Sequence, residues 1–308
     1  MNNLSVAKKT FSSLLLLFAA FAIGFAQQAP QPPQTPESAR VIFSDFTPLS
    51  EEELQNGTLR IFDGVSTFGW GGNARVENGV LHFTGNLLQD SPLYFFFTGN
   101  TGVEGTFTVC TSTGVFQVDQ SEMTSLFDGR ILTGWRKHGS VDAFVEDGVM
   151  VLTGGGGSLE SVGAYADFIL QLEYYTPVRP VGEGVNSGVF FRSIPGERMN
   201  GYESQILNNP GERDFQNFIG TETGGIFRRQ IARNVGPQDG EWNYMTIIAK
   251  GARMATWVNG IQVTDWTDYR DPHDNPRNGK RLEAGTIQFQ GHDPETVVKF
   301  RNIRIKEL

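Results

Sequence analysis

The chain contains one cysteine, Cys110, in 308 residues, so no intramolecular disulfide can form and burial must hold the fold together. That cysteine also lies too far from the N-terminus to accept a lipid after export. Cations are in the minority, with 25 Lys and Arg against 34 Asp and Glu, and a formal charge of −9 argues against binding a phosphate backbone. Beyond the first residues no apolar run approaches the roughly 20 residues that cross a bilayer, so no stable membrane anchor is expected. No long amphipathic helical pattern occurs either, which leaves an all-β protein as the expectation. Histidine is scarce: His82, His138 and His273 sit in no partner pattern, and only His292 follows a polar-faced strand.

What is abundant is glycine (37) and phenylalanine (24), with frequent turn dipeptides. The opening residues carry Lys8 and Lys9, an apolar run from Phe11 to Phe25, and Gly24 and Ala26 at small-residue cleavage positions. This order reads as a secretory signal peptide over 1–26 and predicts export, periplasmic or extracellular. Losing both lysines would take the formal charge from −9 to −11. Residues 27–40, "QAPQPPQTPESA" and its flanks, form a Pro/Gln-rich spacer that cannot bury a core. "PLSEEELQNG" predicts one short helical turn with Ser50 as N-cap and Glu51 to Glu53 at the favourable end of its dipole.

An internal echo divides the remainder. "IFDGVSTFGW" (61–70) and "LFDGRILTGW" (126–135) coincide at an offset of 65, and "VENGVLHFTG" (76–85) and "VEDGVMVLTG" (145–154) at 69. Each copy predicts a turn followed by a hairpin closed by Asn-Gly or Asp-Gly. Trp70 and Trp135 occupy matching places, which favours a structural role. Residues 41–122 read as an accessory β-unit with a partial repeat, and 123–308 as the complete domain. There strands are expected over 143–152, 167–175, 186–192, 202–207, 242–250, 253–259, 284–291 and 297–306, at sandwich spacing. Trp242 and Trp257 are expected in the core.

The candidate site rests on alternation. Side chains of a strand point to opposite faces in turn, so Phe190 and Arg192 share a face of one run and Glu203 and Gln205 a face of the next. "TIQFQGH" likewise puts Thr286, Gln288, Gln290 and His292 on one face, with Ile287 and Phe289 on the other. If these strands are neighbours, Arg192, Glu203, Gln205, Gln290 and His292 converge on a polar groove. The competing reading is a cross-strand Arg192–Glu203 ion pair on a wet face, worth about 0–1 kcal/mol and carrying no chemistry. Tyr202 and Phe227 are candidates for a sugar-stacking wall. "TGGGGS" (153–158) lacks a P-loop lysine and reads as a mobile loop. "RDPHDNPRNG" (270–279), with Asp271, His273 and Asp274, admits either a divalent cation or an ordinary solvated loop.

Taken in order, "LFDGRILTGW", "VEDGVMVLTGGGGSL", "YADFILQLEY", "NSGVFFRS", "GYESQIL", "GEWNYMTIIAKG", "WVNG" and "VKFRNIRIKEL" resemble the 3-keto-disaccharide hydrolase domain family across 123–308. The resemblance implies a concanavalin A-like jelly roll and cleavage of glycosides oxidised to a ketone at carbon 3. It casts Glu203 as base, Arg192 or a bound cation as enolate stabiliser and His292 as acid, with Gln205, Asn208, Gln290 and Tyr202 contacting a carbohydrate or glycoside substrate. No cofactor is specified beyond that cation. Two departures stand out: Asn208 where relatives typically carry Asp after "QIL", and Asp293 in place of a glycine after "QGH". A non-catalytic carbohydrate-binding module and a structural cell-surface β-sandwich are the alternatives, and oligomeric state is left open.

Overall fold

The computed structural model describes residues 48–86, 90–96, 104–110, 114–180, 183–208, 219–233 and 235–308. The expected signal peptide, spacer and first residues of the accessory unit lie outside the described residues.

Three of the Asn-Gly and Asp-Gly pairs close hairpins as their chemistry dictates. Asn78-Gly79, Asp147-Gly148 and Asn259-Gly260 all adopt positive φ at both positions, the geometry that matches the twist of paired strands. They join β2 (Arg75–Glu77) to β3 (Val80–Asn86), β8 (Asp142–Glu146) to β9 (Val149–Thr153), and β15 (Arg253–Val258) to β16 (Ile261–Thr267). The echo is equally physical. Trp70 donates its indole N–H to Ile61 O at 2.6 Å and Trp135 to Leu126 O at 2.8 Å, each nine residues back. Asp63 and Asp128 each cap the turn between by accepting two backbone N–H groups.

The second copy opens a concanavalin A-like jelly-roll sandwich of antiparallel strands. Its inner sheet runs β13 (Tyr202–Ile206), β12 (Ser187–Ser193), β17 (Gly285–Gly291), β10 (Gly157–Tyr165), β7 (Trp135–Gly139). Its outer sheet runs β16, β15, β14 (Trp242–Lys250), β11 (Phe168–Tyr175), β18 (Val297–Glu307), β9, β8, with β6 (Thr124–Ser125) beside β18. Alternation decides what fills the space between. Leu170, Leu172 and Tyr174 of β11 and Met245 and Ile247 of β14 meet Val189 and Phe191 of β12 and Ile287 and Phe289 of β17. Phe289 stacks on Phe300 at 4.0 Å and on Trp135 at 5.0 Å.

Among the described residues, those between 48 and 122 cover the far side of the outer sheet. Ser50 caps α1 (Glu51–Gln55) in a reciprocal box with Glu53. β1 (Thr58–Arg60) pairs β5 (Val115–Gln117), and β3 pairs β4 (Glu104–Cys110). Leu59, Phe95 and Val118 bury Trp257, Ile169, Ile248 and Ala255 in a second core. Polar contacts cross the same seam as well: Trp257 Nε1 donates to Arg60 O at 2.9 Å, and buried Arg233 pairs with Asp63 at 2.5 Å.

Three expectations are corrected here. Trp257 is fully buried, but in this outer seam and not between the sheets. Trp242 is only half-buried and lies under the Arg301 guanidinium at 4.0 Å. The glycine run does not end in a loop, because Gly157 and Ser158 already belong to β10. Small residues are required there: a Cβ on Gly157 would meet His138 O at 2.3 Å.

Candidate active site

The three strands that carry the expected site are adjacent in the inner sheet, in the order β13, β12, β17. Register aligns Glu203 with Phe190, Phe190 with Gln288, Gln288 with Glu160 and Glu160 with Arg136. Gln205 opposes Gly188, and Gln290 opposes Ser158 in the next row. The face away from the core therefore carries polar groups on β13, β17 and β10, interrupted on β12 by Phe190 and Gly188.

Two carboxyl groups on this face have opposite environments. Glu160 is buried, which works against its charge, but Gly196 N–H, Thr286 Oγ1 and His138 all bond to it and hold its pKa below the usual range. The His138 contact is 2.5 Å, a partner that the sequence reading did not find. Glu203 is 6 % exposed, and its carboxyl accepts no hydrogen bond among the described residues. Burial pushes its pKa up to about 8, opposed only by the more distant charges of Arg277 and Arg228. Burial without a hydrogen-bond donor raises the one carboxyl, and hydrogen bonds lower the other, so their acidities are pushed apart. The pair is too far apart to flank one glycosidic bond. Three strand spacings separate them, about 14 Å, against roughly 5–9.5 Å in ordinary glycosidases.

Glu203 forms part of the floor of a cavity of about 320 Å³. One wall is the turn at Ile226–Gln230, which continues the sheet past β13: Phe227 N–H donates to Glu203 O, and Gln205 N–H to Gly225 O. This turn brings Phe227, Arg228 and Arg229 to the opening; the loop through Pro276, Arg277 and Asn278 supplies the other wall. Arg277 donates Nε to Met199 O at 2.8 Å and lies over the Phe190 ring at 5.5 Å, and Arg229 donates to Arg277 O at 2.7 Å. Gly188 makes room beneath. A Cβ there would stand 2.5 Å from Glu203 Oε1.

The other expected site residues are placed differently. Arg192 does not converge with Glu203. It sits in a β-bulge with φ +48°, its guanidinium is fully buried, and it donates to Ala166 O, Gly251 O and Asp167 Oδ1 at 2.7–2.8 Å. The cross-strand Arg192–Glu203 pair is likewise absent among the described residues, since Arg192 pairs with Asp167. His292 lies beyond the end of β17, half-exposed, paired with Asp293 at 2.8 Å. Register puts it two strands across and four residues along from Glu203's row, about 16 Å away.

Tyr202 alternates with Glu203 and so faces the core, stacked on Phe191 and donating to Asp268 Oδ2 at 2.7 Å. Both proposed wall aromatics, Tyr202 and Phe227, are among the residues that line the cavity. Asn208 is a structural hub: Nδ2 donates to Thr176 and Asp239, and Oδ1 accepts from Tyr174 and Thr223. Gln205 donates to Asn186 Oδ1 at 2.8 Å. Gln290 stays on the polar face, with Oε1 buried and unpartnered.

The arch from Ile194 to Gly201 lies over β17 and β10. Gln288 binds Glu197 O and Met199 N–H, and Gly196 binds Glu160. Half of the polar face therefore holds this arch, leaving the Glu203 end as the open part. A second cavity, about 200 Å³, lies on the outer sheet beside α1. Two of its polar residues already have partners, Gln171 with Gln120 and Thr246, Glu173 with Arg301 and Asn302. Among the described residues no three His, Cys, Asp or Glu side chains gather as metal ligands. In the Asp271–Asp274 loop, His273 Nδ1 instead accepts Asn275 N–H at 2.9 Å.

No curated protein matches the sequence. In outline the chain is similar to candidate glycosyl hydrolases of Parabacteroides distasonis. One is 24 % identical with a TM-score of 0.48, aligning 61 % of this chain with 94 % of that one. Another is 27 % identical, also at 0.48, aligning 61 % with 84 %. A carbohydrate-binding module from Bacillus subtilis is 15 % identical at 0.39, aligning 56 % with 95 %. The profile of the 3-keto-alpha-glucoside-1,2-lyase-like domain matches residues 122–306, the whole span of the sandwich, and the chain belongs to that family.

Proposed function

We propose that this carbohydrate-active protein is exported and cleaves 3-keto-glycosides or 3-keto-disaccharides by elimination followed by hydration. The observation that carries the reading is Glu203, a buried carboxyl without a hydrogen-bond donor, beneath arginines in an open cavity. A ketone at carbon 3 acidifies the hydrogen on carbon 2. Glu203, as the carboxylate, accepts that proton, and the C2–H electron pair forms an enolate whose oxygen is stabilised by Arg277 and Arg228. Collapse of the enolate restores the C3 carbonyl, forms the C1–C2 double bond and expels the C1 oxygen, which takes a proton from Glu203 or water. Water then adds across the double bond to release the free 3-keto sugar.

Arg277 thus takes the part that the sequence reading gave to Arg192, and no step uses His292. With a pKa of about 8, Glu203 is ionised in about a tenth of molecules at neutral pH, so turnover should rise as pH passes through about 8. Export follows the order of basic, apolar and small residues at the N-terminus, with the mature chain beginning near Gln27.

The test is incubation of the purified protein with a 3-keto-glycoside and, separately, its unoxidised parent, followed by product analysis. Turnover of the ketone alone, reduced about 10²- to 10⁴-fold in a folded Glu203→Gln variant, supports the reading. Binding without cleavage would instead make the protein a carbohydrate-binding module.

A further inference from the structure

Gln288 stands two strands across from Glu203, in the same row as Phe190, and is not among the residues that line the cavity. It is fully buried, and both ends of its amide are occupied. Oε1 accepts from Met199 N–H and Ser158 Oγ, each at 2.9 Å, and Nε2 donates to Glu197 O at 2.8 Å. An amide buried and partnered in this way offers a ligand nothing, so it can act on the cavity only through the arch it holds.

Met199 is where that arch meets the cavity wall. Its φ is +55°, a conformation that residues other than glycine hold only when their surroundings fix it. The fixing is two-sided: Gln288 accepts its N–H, and its carbonyl accepts Arg277 Nε–H at 2.8 Å. Arg277 lines the cavity and is exposed. An exposed arginine is ordinarily free among many rotamers. Because the guanidinium is planar, a bond that fixes the direction of Nε–H also fixes the plane of both terminal nitrogens. Phe190, 5.5 Å from the same group and paired with Gln288 in register, supports it from the sheet.

We propose that Gln288 is a positioning residue for the cavity, fixing the plane of the Arg277 guanidinium through the backbone of Met199. This rests on the reading of Arg277 as a stabiliser of the enolate oxygen, and it names the buried group that aims it.

Two variants of the full chain test it. Gln288→Met fills a similar volume with neither donor nor acceptor. Gln288→Asn keeps an amide but draws it back by one methylene, away from Met199 N–H, and stands in if the first variant does not fold. One readout needs no substrate. In nitrogen-edited proton spectra the Arg277 Nε–H, identified by its loss in Arg277→Gln, should exchange slowly with solvent in the parent and about tenfold faster in either variant, the equivalent of one hydrogen bond lost. The other is a kinetic cycle on a 3-keto-glycoside. Gln288→Met should lower kcat about ten- to a hundredfold with KM changed less than about threefold, because a misaimed guanidinium fails where charge develops. In an Arg277→Gln background the same change should cost less than about twofold, since the group it acts through is gone.

The proposal is overturned if Arg277 Nε–H exchanges as freely in the parent as in the variants. It is overturned equally by a loss of kcat that persists undiminished when Arg277 is already glutamine, which would leave Gln288 a structural residue only. Its failure is separable from that of the elimination reading. Faster Nε–H exchange without turnover of any 3-keto-glycoside upholds the positioning of Arg277 and removes the elimination chemistry. Turnover with exchange and cycle both unmoved removes the positioning alone.

Discussion

Replacing Glu203 by glutamine should flatten the pH dependence of stability. In the folded chain burial raises the pKa of this carboxyl from 4.5 to about 8, so between those values the folded state keeps a proton that the unfolded state has released. Stability contributed by the protonated form is present at low pH and is lost as pH rises, levelling off above about 8. Between about pH 5 and about pH 9 the integrated loss is about 4 kcal/mol, a large share of a typical net stability of about 5–15 kcal/mol. Glutamine keeps the shape but does not titrate. Its amide brings N–H groups into a place without evident acceptors, so the variant should carry an offset of about 1–2 kcal/mol at every pH. Urea unfolding of both proteins at about pH 5, 7 and 9 separates the two effects, since the offset is constant and the titration is not. Parallel profiles would refute the reasoning and return Glu203 to an ordinary solvated carboxylate.

Arg192→Met should destabilise by about 3–5 kcal/mol, because Asp167, Ala166 O and Gly251 O lose their donor, while substrate affinity in the folded fraction is unchanged; a melt and a titration check both. Asn208→Asp should cost about 2–4 kcal/mol at neutral pH, since two donated hydrogen bonds are lost and a carboxylate faces Asp239 at 3.0 Å. Repulsion raises the folded pKa of that pair, so the melting temperature should recover on acidification through the carboxylate range. Gly188→Ala should lower turnover about tenfold or more with little change in melting, because the new methyl displaces the Glu203 carboxyl and not the backbone.

Local turn chemistry and strand alternation made much of the sandwich legible. Asn-Gly and Asp-Gly pairs between apolar runs specify their hairpins, and alternation placed Glu203 with Gln205, and Gln288 with Gln290, on one face of each strand before any register was known. The same rule, applied one residue earlier, puts Tyr202 on the core face. Arg192 was illegible because a bulge with positive φ breaks alternation at that position. His292 failed for a different reason: a shared face does not guarantee proximity once two strands and two further rows intervene. Arg228, Arg229 and Arg277 come from loops that no periodicity ties to β13, so only tertiary structure reveals them. The Glu160–His138 pair was hidden by reading Gly157 and Ser158 as loop, although Ser158 and Glu160 already show the alternation of a strand.

The seam around Trp257 bears on how the chain folds. Arg60 meets Trp257 across 197 positions, and Asp63 meets Arg233 across 170. Leu59 and Phe95 therefore find Val118 and Ile169 earlier, but their contacts with Ile248, Ala255 and Trp257 wait until β14 and β15 have emerged. Contacts this remote carry a high loop-closure cost and fold slowly, with apolar surface exposed meanwhile. The first-synthesised part of the fold is thus among the last able to settle. Its assembly is tied to completion of a sheet encoded nearly two hundred residues later.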